Sequence, residues 1–325
     1  MILPLSPSSD ESYKMVTREG TIVEQRRGVL SIAGSDSIEF LQRMSTNDMT
    51  DVKSTERTCT TLLTSEKARI IDLVAVLNTG DALLMLTSAD MQQRVKEWLE
   101  KFIIMEDIQI IDVTSNYSTH SIIGVNALRS LRMDSHAIIE QESTTVLLKD
   151  PSSGNYLFRD HVWHTPVFTL VSKRDHAPDL FSTTIPDNPD IVETLRIEDG
   201  VPLTGKELTE NVNPLEAGLN RFISFGKGCF IGQEVIARLD TYNKLQKVLV
   251  GIIFETVDEL LLTTGKLFQT SDEIGYTTSH TWSPKLQRYI ALGYVKNNCI
   301  SDRVEFRSTL ISKSMAARIV HIPFA

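Results

Sequence analysis

The chain carries two textures of hydrophobic and polar positions, and the change falls near Asn243. In the first part, short alternating runs sit beside stretches with apolar residues every three or four positions. "GVLSIAG" from Gly28 reads as a strand, and "SDSIEFLQRM" after it reads as a helix with Asp36 and Glu39 in capping-box spacing. "ARIIDLVAVL", the turn "NTGD" and "ALLMLTS" read as a hairpin. Met91, Val95, Trp98, Leu99 and Phe102 fall at i, i+4, i+7, i+8 and i+11, which is one face of a helix. "IQIIDVT", "HSIIGV" and "TPVFTLVS" are strand-like. "PDNPDIVETLRIEDG" is a punctuated helix: Asn188 as cap, Pro189 in the first turn, Ile191, Val192 and Leu195 as apolar stripe, Gly200 as stop. From Lys247 onward, "KVLVGIIF", "GKLFQT", "EIGYTTS", "RYIALGYV", "RVEFRS" and "AARIVHI" are short strands between turn residues. That rhythm predicts a closed β-domain of about 80 residues. The expected architecture is α+β, with a first region over 1–243 and a small β-barrel over 244–325.

Length and composition support more than one core. The chain has 325 residues, 41% apolar and 23% charged, values of an ordinary folded protein. A formal net charge of −9 argues against direct, nonspecific nucleic-acid binding. The leader "MILPLSPSSDESYKMVTREG" has no signal-peptide pattern, and no apolar run reaches about 18 residues, so neither secretion nor a membrane span is expected. Three widely spaced cysteines, Cys59, Cys229 and Cys299, form no disulfide framework and no Cys-x-x-Cys metal site. Reduced thiols in a cytoplasm fit them best.

The chemistry concentrates in "FGKGCFIGQE", Phe225 to Glu234. It is no phosphate loop, because Arg221 stands where the first glycine belongs. A reactive thiol needs a cation or a helix N-terminus beside it, and access. Lys227 lies two residues before Cys229, and "GQEVIARL" predicts a helix starting about three residues after it. Gly226, Gly228 and Gly232 let backbone approach a ligand closely. The competing reading makes Cys229 a small buried hydrophobe and the glycines a tight turn. His161 and His164 in "HVWH" have i, i+3 spacing but no third ligand nearby, and read as a surface or half-buried pair.

"KGCFIGQEVIAR" resembles the signature of the YgfZ family: Lys-Gly-Cys, an aromatic, an aliphatic, then Gly-Gln-Glu. "LRIEDGVPLTGKELTENVNPLEAGL" resembles the segment shared by YgfZ proteins and the T protein of the glycine cleavage system, and "SPKLQRYIALGYV" their C-terminal barrel. The resemblance implies a T-protein/YgfZ-like folate-binding fold of three parts around a central opening, the first region holding two intertwined subdomains. It implies a monomer that binds tetrahydrofolate or a one-carbon derivative. It also implies partners among iron–sulfur client or assembly proteins, and an effect on tRNA modification through an iron–sulfur enzyme. A lone thiol holds no stable cluster, so Cys229 would handle sulfur, a cluster edge or a one-carbon adduct.

Residue by residue, Glu198 in "RIEDG" matches the glutamate that meets the pterin. A carboxylate can accept the paired N–H donors of a pterin in a fork. Lys227, with Gly228 beside it, falls where the T protein has a basic residue near the folate. Arg238, Lys244 and Lys247 could meet a polyglutamate tail, or form a solvated face. The T protein's aspartate near the folate nitrogens aligns with Gln92, with Asp90 two residues away; a glutamine exchanges no proton. Three readings result: a folate-dependent iron–sulfur factor with Cys229 as functional thiol, a folate-dependent aminomethyltransferase, and a noncatalytic folate-binding module. The first is favoured.

Overall fold

Among the described residues the strands form two five-stranded antiparallel sheets and one closed barrel. The computed structural model describes residues 7–55, 57–129, 131, 147–149, 154–174, 189–242, 244–255, 265–299, 303–308 and 314–324. One sheet has the order β3-β4-β5-β2-β6, built from β2 (Val29–Ala33), β3 (Thr58–Thr64), β4 (Ile70–Asn78), β5 (Leu83–Leu86) and β6 (Gln109–Asp112). The expected hairpin is β4–β5, with Asn78 opposite Leu83. Strand β3 was not anticipated, because its threonines read as polar; Thr58, Thr61 and Thr64 are buried nonetheless. Helices α2 (Ser37–Met44) and α3 (Gln92–Glu100) cover one face, bringing Phe40, Leu41, Val95 and Leu99 against Leu30, Ile32, Val76 and Met85.

The expected capping box is absent at α2. Asp36 is at the N-cap with φ −94° and ψ 0°, and makes no side-chain cap. Its Oδ2 instead accepts the Asp107 N–H at 2.9 Å, tying the helix start to the strand β6 approach.

The other sheet has the order β1-β7-β10-β9-β8, from β1 (Thr21–Gln25), β7 (Tyr117–Ile123), β8 (Leu147–Lys149), β9 (Tyr156–Arg159) and β10 (Val167–Lys173). Its inner face sets Tyr156, Phe158 and Val171 against Val29, Ala75 and Leu86 of the first sheet. Its outer face carries α4 (Val125–Arg129). The leader, for which the sequence reading named no element, forms α1 (Pro7–Glu19), where Tyr13 and Val16 at i, i+3 pack on Ile191.

Pro189 does open helix α5 (Pro189–Glu198); the cap assigned to Asn188 lies outside the described residues. Gly200 ends it at φ +71°, and a Cβ there would lie 2.6 Å from Ile322. Only glycine satisfies both the left-handed turn and that close approach. Helix α6 (Gln233–Tyr242) follows the Lys-Gly-Cys loop.

The barrel closes in the order β11-β14-β13-β12-β15-β16. Its strands are β11 (Lys247–Phe254), β12 (Gly265–Gln269), β13 (Asp272–Ser283), β14 (Arg288–Lys296), β15 (Arg303–Ser308) and β16 (Ser314–Val320). Strand periodicity gives it two apolar surfaces. Ile252, Leu267, Ala291, Val295, Phe306 and Ala317 fill the interior. Leu249, Ile290, Leu292 and Tyr294 point outward into a core shared with Ile197, Val212, Phe222 and Ile236, which docks the barrel on α5 and α6.

A buried ion network locks that docking. Arg196 is 5% exposed, donates to both oxygens of Glu193 at 2.7 and 2.8 Å, and reaches Glu207 Oε2 at 3.1 Å. The other Glu207 oxygen accepts Thr278 and Ser279 hydroxyls at 2.6 and 2.7 Å. With all five guanidinium N–H groups engaged, this buried arginine fixes the pitch of α5 against β13, and therefore where Glu198 lands.

Candidate functional site

Glu198 closes α5 and lines a cleft of about 490 Å³ with Tyr13, His164, Asp199, Lys285 and Phe324. The side chain is 7% exposed. Ser283 Oγ donates to Oε1 at 2.5 Å and Tyr13 OH donates to Oε2 at 2.6 Å. The backbone N–H of Lys285 also bonds the carboxylate, so three protein donors share its acceptor directions. Burial raises its pKa above the usual carboxylate value, while the Ser283 and Tyr13 hydrogen bonds oppose that shift. The carboxylate is thus neither the solvated helix-end group of the plain reading nor an unsatisfied one. Around it, Phe324 N–H donates to the Glu198 carbonyl at 2.8 Å, and Lys285 Nζ to the Phe324 carbonyl at 3.0 Å.

Next in sequence, Asp199 accepts the backbone N–H of His164 at 2.6 Å and that of Thr165. His164 Nδ1 lies 3.1 Å from the Asp199 carbonyl. Burial raises Asp199 as well, opposed by the His164 N–H. Sequence reasoning passed over Tyr13, Ser283 and Asp199. Tyr13 and Val16 were legible as an apolar pair; nothing local marked Ser283.

The Lys-Gly-Cys loop lies elsewhere: Cys229 is not among the residues lining the Glu198 cleft. The loop is stitched to residues 43–47, the end of α2 and the turn after it. Ser224 N–H donates to Thr46 O and Ile231 N–H to Arg43 O, both at 3.0 Å, and Thr46 Oγ1 donates to Phe222 O at 2.7 Å. Lys227 turns inward, 9% exposed, and its ammonium donates to Ser45 O at 2.8 Å and Asn47 O at 2.5 Å. Burial lowers its pKa to about 8, opposed by the nearby Cys59 sulfur and Asp48 carboxylate. The cation expected to face the thiol or a folate is spent on two carbonyls. Phe230 is buried behind it, while Phe225, Gly226, Gly228 and Cys229 are exposed.

The three glycines differ. Gly232 has φ +83° and sits so close that a Cβ would be 2.8 Å from Ser65 O; at Gly226 and Gly228 a Cβ meets nothing within 4 Å. Cys229 is therefore not the small buried hydrophobe of the plain reading; that description fits Cys59, which is 2% exposed and pushed up to about 12 by burial. Helix α6 begins four residues after Cys229, and Arg238 is exposed on it, without an ion pair among the described residues.

Gln92 opens α3, and its Oε1 is buried without a partner; Asp90 is exposed at φ +61°. A buried carboxylate in this region is Asp72 on β4. It accepts Ser88 N–H at 2.9 Å, Ser88 Oγ at 2.6 Å and Thr204 Oγ1 at 3.0 Å. Burial raises its pKa, with the Ser88 bonds opposing. A charged residue inside the apolar run "IIDLV" was the signal for it.

Family models match in two places: the GCVT N-terminal domain over residues 6–144, and the glycine cleavage T-protein C-terminal barrel domain over residues 247–325. An aminomethyltransferase of Anoxybacillus flavithermus is 26% identical, across 99% of this chain and 92% of that one. An aminomethyltransferase of Geobacillus kaustophilus is 28% identical, across 100% and 92%. The crystal structure of glycine cleavage system aminomethyltransferase T from Bartonella henselae has the same fold, with a TM-score of 0.82 at 18% identity over 99% of this chain and 91% of that one.

Proposed function

We propose, from a chain that carries the GCVT N-terminal and C-terminal barrel domains and is related to the glycine cleavage T protein, a tetrahydrofolate-binding protein of the YgfZ kind that supports iron–sulfur enzymes through Cys229. The observation that carries this reading is an exposed thiol on a loop whose flanks are pinned by Lys227, Ser224 and Ile231. A structural cysteine needs no such display.

The residues present fit a reduced folate. Glu198 presents a carboxylate held by Tyr13 and Ser283 and lines a cleft within the size range of small-molecule sites. When bound, the folate supplies one-carbon chemistry. Glu198 would orient the pterin, and Tyr13 and Ser283 would hold the carboxylate's aim. Cys229 would present its thiol to a partner iron–sulfur client or assembly protein.

A second reading, folate-dependent aminomethyl transfer, is favoured by Asp72, a buried carboxylate with a raised pKa, and by the relatives being named aminomethyltransferases. The test has two arms. Anaerobic calorimetry with tetrahydrofolate should show binding to wild type and Cys229→Ala and none to Glu198→Ala. In cells lacking the chain, iron–sulfur enzyme activity should return with wild type and not with Cys229→Ser. Rescue by Cys229→Ser, together with methylene transfer from an aminomethyl-lipoyl carrier that Asp72→Asn abolishes, would move the assignment to the second reading. Absence of folate binding in wild type would sink both.

A further inference from the structure

A second cleft, of about 770 Å³, lies on the outer face of the barrel and takes no part in the chemistry above. Its floor and walls are the rings of Tyr276 and Tyr294, with Leu245 and Ile274; its charged groups are Lys247, Lys296 and Glu273, beside the amides of Gln246, Asn297 and Asn298. It stands at the opposite end of β13 from Ser283, the residue that bonds Glu198. Seven residues of strand put the two sites about 20 Å apart, with the buried Arg196–Glu207 network between them.

The placement of the two lysines is costly. Lys247 on β11 is directly opposite Lys296 on β14, and both share the outward face of Leu249 and Tyr294. Directly opposed residues in an antiparallel pair hold their Cβ atoms about 5 Å apart, and like charges there destabilise the sheet. Among the described residues neither ammonium is paired with a carboxylate. Lys247 Nζ donates to Tyr276 OH at 3.2 Å, and Lys296 Nζ to the Glu273 backbone carbonyl at 2.7 Å. The Glu273 carboxylate is engaged by Lys266 at 2.7 Å. Lys247 also lies 4.9 Å from the Tyr294 ring centre. Its 5.6 Å from the Tyr276 ring centre follows from the hydroxyl bond and adds no separate attraction.

Tyr294 is 1% exposed and forms floor, whereas Tyr276 is 38% exposed and offers its ring to the cleft. Two unneutralised cations beside an open aromatic face match a flat ring that carries an anion: ring against ring, anion between the ammonium groups. We propose that this cleft binds a small aromatic anion, an aromatic or heteroaromatic ring bearing a phosphate or a carboxylate. The ligand relieves the Lys247–Lys296 repulsion, so its binding couples to barrel stability. The site is independent of the folate assignment.

The test is calorimetric titration of the full chain with adenosine 5′-monophosphate and with 4-hydroxybenzoate, alongside adenosine and inorganic phosphate. One of the two aromatic anions should bind, and which one identifies phosphate or carboxylate. Its ring and its anion offered separately should each bind at least about 10-fold more weakly. Lys247→Met and Lys296→Met should each weaken binding about 10-fold, and Tyr276→Leu several-fold, with folding checked by circular dichroism. Without ligand at low salt, Lys296→Met should melt about 1–3 °C higher than wild type, because the repulsion is gone. No binding by either aromatic anion, or equal binding by all variants, overturns the proposal. A lower melting temperature for Lys296→Met would equally show that the pair is not held apart by its own charge.

Discussion

At the Glu198 cleft the group of interest is sunk, and its partners come from three distant stretches: Tyr13 of α1, Ser283 of the barrel and the tail at Phe324. At the Lys-Gly-Cys loop the group of interest is raised into solvent, and its supports lie within the loop or in residues 43–47. The first arrangement spends hydrogen bonds on aiming a carboxylate in a medium that disfavours its charge. The second spends them on everything except the thiol. Recognition of a ligand's paired donors requires the former; delivery to a partner protein requires the latter. The two are therefore expected to fail separately, and each can be broken without the other.

The largest separation is expected at Glu198. Glu198→Ala removes the carboxylate that accepts both the Tyr13 and Ser283 hydroxyls and should cost at least about 100-fold in tetrahydrofolate affinity, as two charge-assisted bonds would. Titration of Cys229→Ser in parallel should return the wild-type constant. Equal losses in the two variants would mean that the cleft and the loop form a single site.

Within the loop, glycine substitutions sharpen the contrast between support and display. Gly232→Ala places a methyl 2.8 Å from a backbone carbonyl at φ +83°, and should destabilise the chain by about 3 kcal/mol in urea unfolding. Gly228→Ala, where a Cβ meets nothing, should stay within about 0.5 kcal/mol. A large loss at Gly228 would show that its role is conformational.

How much of this was legible in the sequence depends on the range of the interaction. The β4–β5 hairpin, the α3 stripe, the Pro189 start and Gly200 stop of α5, and the barrel rhythm are local patterns, and the structure has each of them. Glu198 and Cys229 stood out through motif. What failed to show was relational. Lys227 is two residues from Cys229 in sequence, yet its ammonium bonds residues some 180 positions away. Asp36 was read as a cap and instead serves Asp107. Strand β3 was hidden because threonine's β-branched shape counts in a buried strand more than its hydroxyl.

Lys227 offers a pH test of the same contrast. Its folded pKa lies near 8, below the ordinary 10.5, so folding favours the neutral amine. Above about 10.5 both states are neutral and the penalty vanishes; as pH falls through that window the unfolded chain protonates first and stability is lost; below about 8 the loss is complete. The wild type should therefore gain about 2 kcal/mol on Lys227→Met as pH rises from 8 to 10.5, the value being reduced for residual solvent contact. A gap independent of pH would mean that the ammonium is better solvated than its burial indicates.

The smallest effect separates the buried thiol from the displayed one. Cys59 is packed among Leu63, Val74 and Val76, and its Sγ donates to Asp48 O at 3.3 Å. Cys59→Ala should therefore cost about 1–2 kcal/mol through lost packing and an abandoned carbonyl. Cys229 contributes no core contact, so Cys229→Ala should stay within about 0.5 kcal/mol. A thiol-specific reagent should accordingly label Cys229 in the native protein while Cys59 reacts only on unfolding, since the buried thiol is pushed up to about 12 and shielded. A stability loss at Cys229 comparable with that at Cys59 would return it to the structural class. The loop's pinned flanks would then be read as packing rather than presentation.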